Sequence, residues 1–121
     1  MAAFVKRVHQ GLAYGDGHLQ GAGNSGQVVR LVGHDLFAVN TDPTQPSFGV
    51  LIRDYKDGEM PGVLCNGGII ELTTYEGNPV PGDTLKVSAT GFLTPNPGAG
   101  EYPLARVISV ANGVLKIKLL V

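Results

Sequence analysis

The chain has 121 residues, with 18 glycines, 8 prolines, one cysteine, no tryptophan and a formal net charge of −1. Glycine costs a helix interior about 1 kcal/mol and proline about 3 relative to alanine, so a chain this rich in both has little room for helix. Nine Lys and Arg against ten Asp and Glu, spread along the chain, give no basic footprint for phosphate, which argues against direct nucleic-acid binding. One cysteine excludes an intramolecular disulfide.

In chain order, residues 1–26 differ from the rest. Met1 to Arg7 carries its charges after a short apolar stretch and no long apolar region follows, so no secretory signal is expected. No run approaches the ~20 apolar residues of a membrane span either, and the product is expected to be soluble, made in a host cytoplasm and without a membrane partner. Phe4 to His9 reads as a short strand or a helical turn. Gly11 to Gly26 then carries six glycines with no apolar periodicity. Such backbone has much entropy to lose and little side chain to bury, so residues 1–26 read as an N-terminal arm, either frayed or ordered against a partner through Phe4, Val5 and Val8. Within it, Gly21-Ala22-Gly23-Asn24-Ser25-Gly26 has the spacing of a dinucleotide fingerprint. That motif needs a strand before it and a helix after it; here a glycine-rich arm precedes and a β-run follows, so the match is rejected.

From Gln27 the chain reads as a single β-domain, residues 27–121. Gln27 to Val32 and Leu36 to Asn40 flank a Gly33-His34-Asp35 turn and form a first hairpin. Phe48 to Arg53 is apolar on both faces and therefore central. Asp54 to Pro61 is a charged turn, and Val63 to Asn66 and Ile69 to Thr74 flank Gly67-Gly68, another turn or bulge. After the proline-stiffened loop Glu76 to Asp83, Thr84 to Ser88 and Phe92 to Thr94 form a second hairpin. Leu104 to Val110 and Val114 to Val121 form a third around Ala111-Asn112-Gly113. Asn-Gly between alternating apolar runs is the strongest local hairpin signal, and Leu115, Ile117 and Leu119 alternate with Lys116 and Lys118. Eight or nine short strands at this spacing predict a mainly β fold, a small antiparallel barrel, β-tulip-like module or sandwich.

Candidate chemistry is sparse. His9, His18 and His34 fit no common zinc spacing. Cys65 reads as a small buried strand residue, because a nucleophile needs a base and an orienting group beside it. Asp35, Asp42, Asp54, Asp57 and Asp83 lie at turns, where aspartate caps backbone amides. No catalytic, cofactor or metal site is expected. Charged residues make up 16% against about 25% in typical domains, which fits a surface partly covered by neighbours. Tyr55, Tyr75 and Tyr102 are candidate interface anchors, half-buried structural tyrosines being the alternative.

One stretch resembles a known family. Pro81-Gly82-Asp83-Thr84-Leu85-Lys86-Val87-Ser88-Ala89-Thr90-Gly91-Phe92-Leu93-Thr94-Pro95 is similar to a recurrent hairpin of bacteriophage head decoration, or cement, proteins. Leu104-Ala105-Arg106-Val107-Ile108 and Val114 to Leu120 stand where that family continues with an "Ala-Arg-Val" strand and a terminal strand. Upstream, Ser25-Gly26-Gln27-Val28-Val29 and Phe48-Gly49-Val50 resemble its "Gly-x-Val-Val" and "x-Gly-Val". The likeness covers roughly residues 25–121 and implies a small β-barrel or β-tulip module on the outer surface of an expanded capsid. It implies a non-enzymatic virion structural protein, made as a homo-oligomer with a trimer favoured, whose partner is the major capsid protein. The family's glycine-rich arm lies along the capsid protein, which would make Phe4, Val5, Lys6, Arg7 and Val8 capsid contacts; the arm here is longer and richer in glycine. Open alternatives are a non-catalytic β-barrel that binds carbohydrate or single-stranded nucleic acid, another virion or tail structural protein, and an enzyme using Cys65.

Overall fold

A computed structural model describes residues 3–121, and among them the chain forms twelve strands and no helix. The mainly β reading holds. The terminal hairpin follows directly from its turn: Asn112 and Gly113 take φ of 53° and 77°, the left-handed pair that matches strand twist. It joins β11 (Ala105–Ala111) to β12 (Val114–Leu119). Leu115, Ile117 and Leu119 are buried, while Lys116 is half-exposed and Lys118 exposed. β9 (Thr84–Val87) pairs with β10 (Leu93–Pro95), and β4 (Val28–Gly33) with β5 (Leu36–Val39). All three expected hairpins are therefore present.

The remaining strands are β1 (Val5–His9), β2 (Leu12–Tyr14), β3 (His18–Leu19), β6 (Gly49–Leu51), β7 (Val63–Cys65) and β8 (Ile69–Leu72). Together the twelve make two six-stranded sheets. The first has the order β1-β8-β12-β11-β9-β10 and the second β2-β7-β6-β4-β5-β3. All pairings are antiparallel except β3 with β5, and neither sheet closes into a barrel.

Packing explains the alternation within the short central strands. Val28, Val50 and Leu64 join Ile70, Leu85, Leu115 and Ile117 in one core, between the two sheets. Their sequence neighbours Val29, Leu51 and Val63 face the other way, into a second core with Leu19 and Phe37. The second sheet is thus buried on both faces, as the apolar run at Phe48 to Arg53 implied. It also curls. Flat, the four strand spacings between β2 and β5 would hold them about 19 Å apart, yet the rings of Tyr14 and Phe37 have centroids 6.0 Å apart.

One expectation needs correction. The boundary between an arm at 1–26 and a domain at 27–121 does not exist in the fold. β1 pairs with β8, β2 with β7 and β3 with β5, so this segment supplies edge strands to both sheets. Its glycines are not slack: Gly17 lies against the Phe37 ring and Gly23 against Leu51, where a Cβ would sit 2.5 Å from each. Sequence periodicity missed this because strands of two to five residues are too short to show it. The turn or bulge expected at Gly67-Gly68 lies between strands of different sheets, β7 and β8. It is a corner, and Gln10-Gly11 makes the same corner in the paired ribbon. There a Cβ on Gly68 would stand 2.8 Å from Gly11 Cα and 2.9 Å from Gln10 O.

Two substitutions check these assignments by denaturant unfolding. Leu19→Ala, at a side chain 1% exposed, should cost about 2–5 kcal/mol as for other buried leucines, whereas a free arm would lose nothing. Gly68→Ala should cost about 1–3 kcal/mol through forced backbone movement, while Gly15→Ala, which meets open space, should stay within about 0.5.

Candidate interaction surface

The residues expected to contact a capsid lie on β1, an edge strand of the first sheet, and, for Phe4, just before it. Edge strands carry unpaired backbone groups and can accept a further strand. Phe4 N donates to Thr73 Oγ1 at 2.8 Å, and Thr73 N donates to Phe4 O at 3.2 Å. Val5 packs against the first core. Lys6 faces outward with its Nζ 3.6 Å from Glu71 Oε1. Arg7 is exposed and Val8 half-buried. The five therefore sit together on one edge, anchored at Phe4 and Val5 and open at Lys6 and Arg7.

The three tyrosines do not converge. Tyr55 belongs to the second core, where its hydroxyl accepts a hydrogen bond from Gly62 N at 2.8 Å. Tyr75 packs against the first core. Tyr102 is 48% exposed and is held only through its backbone, its N–H donating to Pro43 O at 2.9 Å. Of the three, Tyr102 is the one whose ring a partner could cover.

Ionisable groups are engaged in local structure. Tyr14 donates to Asp35 Oδ1 at 2.5 Å. That hydrogen bond, with help from burial and from the charges of Asp35 and Asp16, pushes its phenol up to about 12. The Gly98 N–H and then the Lys86 ammonium, 2.9 Å away, hold Glu101 below the usual carboxylate range. The Thr44 hydroxyl and N–H do the same for Asp42. Glu76 accepts a hydrogen bond from the Thr90 hydroxyl. Burial pushes the Cys65 thiol up, which disfavours the reactive thiolate. His9, His18 and His34 are exposed on three separate elements. Among the described residues no three His, Cys, Asp or Glu side chains stand together as a metal site would need.

The concavities are shallow. One, of about 630 Å³, is lined by Leu12, Ser47, Phe48, Cys65, Asn66 and Val121. Another, of about 390 Å³, runs beside β1 and includes Phe4, Ile52 and Arg53. The second also holds Ser25 and Asp54, whose Oδ1 accepts from Ser25 N at 2.8 Å. Sequence reasoning missed the Tyr14–Asp35 and Lys86–Glu101 pairs, which the topology joins across 21 and 15 residues and which no local pattern signals. No protein-family model and no curated protein matches the chain.

The Tyr14 environment can be read by titration. Of four tyrosines, one should ionise near pH 12 by phenolate absorbance. Because its folded value lies above the unfolded one, its stabilising effect is complete below about pH 10 and is lost as pH rises through about 12. Asp35→Gly, which suits the residue's φ of 52°, should return that tyrosine toward 10. Identical titration curves for the two proteins would refute the assignment.

Proposed function

We propose that this chain is a bacteriophage capsid decoration protein, which binds the outer surface of the expanded head and strengthens contacts between major capsid protein subunits. The observation that carries the reading is where the family-like residues fall. Pro81 to Val121 contributes one contiguous antiparallel unit, β12-β11-β9-β10, in the first sheet. The pattern is therefore a structural unit and not a scatter of turn residues. An all-strand body, a low charge content and an edge strand at β1 suit a protein that works by covering other protein. Decoration needs no strong single contact, because many copies on one shell share their contacts and gain avidity. The edge at β1 can add main-chain hydrogen bonds to an exposed strand of the shell.

The test is co-sedimentation of purified protein with undecorated, expanded heads. Saturable binding is expected, together with a higher temperature for head disruption. A protein that stays in the supernatant at saturating concentration, while the heads pellet intact, ends the reading. Binding to unexpanded heads with equal affinity would remove the link to shell maturation.

A further inference from the structure

Asparagine carries a latent reaction with the backbone that follows it. The amide nitrogen of the next residue, giving up its proton to solvent, can attack the side-chain carbonyl carbon. A C–N bond forms, the bond to the side-chain nitrogen breaks and ammonia leaves. Water then opens the cyclic imide at either carbonyl, leaving aspartate or isoaspartate. A following glycine favours the attack, because no Cβ obstructs the nitrogen and the backbone turns freely. Of the six asparagines, Asn66 and Asn112 precede glycine, and the sequence does not tell them apart.

The other four are held. Asn78 and Asn96 precede prolines, which have no N–H to lose. Asn24 precedes Ser25, whose N–H donates to Asp54 Oδ1 at 2.8 Å. Asn40 is fully buried, with Nδ2 donating to Ser47 Oγ at 2.9 Å and Oδ1 accepting from Asp42 N at 3.0 Å.

The fold separates the remaining two. Both pairs take positive φ, 66° and 71° at Asn66-Gly67 against 53° and 77° at Asn112-Gly113. At the first, Gly67 N donates to Val121 O at 3.0 Å, and the adjoining Gly68 O accepts from Leu119 N at 2.8 Å. The attacking nitrogen is thus tied, and Gly68 is pressed against the Gln10-Gly11 backbone. Rotating Asn66 into the attack would break the corner between the sheets. At the second, the pair lies past the last register contact of its hairpin, Ala111 with Val114. Both residues are exposed, and neither hydrogen-bonds to another element among the described residues. A Cβ on Gly113 would meet no atom within 4 Å. Rotation there opens only a hairpin tip, the kind of local opening that costs least.

We propose that Asn112 is a self-modification site, converting to aspartate and isoaspartate in the folded protein, while Asn66 in the same dipeptide is protected. Each product adds one negative charge to a chain of formal net charge −1. The charge appears in the turn that joins the strands carrying Arg106, Lys116 and Lys118. Isoaspartate also adds a methylene to the main chain, which a two-residue turn cannot absorb, so it loosens β11 from β12 at that end. The change accumulates with time and marks the age of each molecule. It does not depend on the capsid reading.

Incubation of the full chain in mildly alkaline buffer, followed by peptide mapping with mass spectrometry, tests this. In the folded protein Asn112 should convert about tenfold faster than Asn66 or more, as a hydrogen-bonded nucleophile at the slower site implies. The same chain unfolded in urea should convert both at similar rates. Folded wild type should therefore yield one acidic species on ion exchange, part of which an isoaspartate-specific methyltransferase labels. Asn112→Gly, which suits the residue's φ of 53°, should not yield it. Amide hydrogen exchange should find Gly67 N–H protected and Gly113 N–H open. Comparable rates at Asn66 and Asn112 in the folded chain overturn the proposal. So does an Asn112 that stays intact in the folded chain while the unfolded one converts. An acidic species that forms equally fast in Asn112→Gly also overturns it.

Discussion

The close approach of two backbones at one corner governs the architecture. β1 and β2 run antiparallel to β8 and β7 as a single ribbon, and that ribbon folds from the first sheet into the second between Gln10-Gly11 and Asn66-Gly67-Gly68. The strands stay paired on both sides of the bend because Gly11 and Gly68 can touch; a side chain at either would meet backbone, which cannot rotate away. Gln10, Gly11, Asn66 and Gly67 all take positive φ there, a region that Gly and Asn enter at least cost. With the corner set, the first sheet lies over one face of the second and the principal core forms between them.

Much of this was legible in the residues, and the reason differs by element. The β11–β12 hairpin was plain because turn and alternation agree: Asn112-Gly113 demands a primed turn, and Leu115, Ile117 and Leu119 then share a face. β6 was readable as central because Val50 and Leu51 are both apolar, as a strand buried on two faces requires. Residues 1–26 were not legible. Their order comes from long-range pairing, with Leu19 reaching a core whose other members lie between Val29 and Val63, and glycine content alone argues the opposite. At Gly67-Gly68 the turn was legible but its role as a corner between sheets was not, for a related reason. A turn between two β-runs looks the same whether the runs pair with each other or leave for different sheets.

The candidate surface was legible only in outline. Composition shows a chain with few charges, but not which tyrosine is exposed, since burial of Tyr55 and Tyr75 depends on loops that fold over both cores. Nor does one-dimensional charge order show sorting. Lys6, Lys86, Arg106, Lys116 and Lys118 are scattered along the chain and meet only because β1, β9, β11 and β12 share a sheet. A near-neutral total hides a face on which these five cations outnumber the carboxylates Glu71 and Glu101.

Burial narrows where this protein can act. The second sheet, buried on both faces at β6 and β7, meets solvent at its edges β2 and β3 and along the outer half of β4, where Leu31 is exposed. The first sheet spends its inner face on the principal core, so its outer face is the one broad β-surface left to solvent among the described residues. That face carries an opposed Arg106–Lys118 pair where a solvated sheet would gain by placing a carboxylate. Arg106 also donates to Gly82 O at 3.2 Å, so it is Lys118→Glu, at an exposed side chain, that would supply the missing cross-strand partner without losing a contact. A charge pattern that stability alone would not favour, on the single wide face that folding leaves free, is what a contact surface requires.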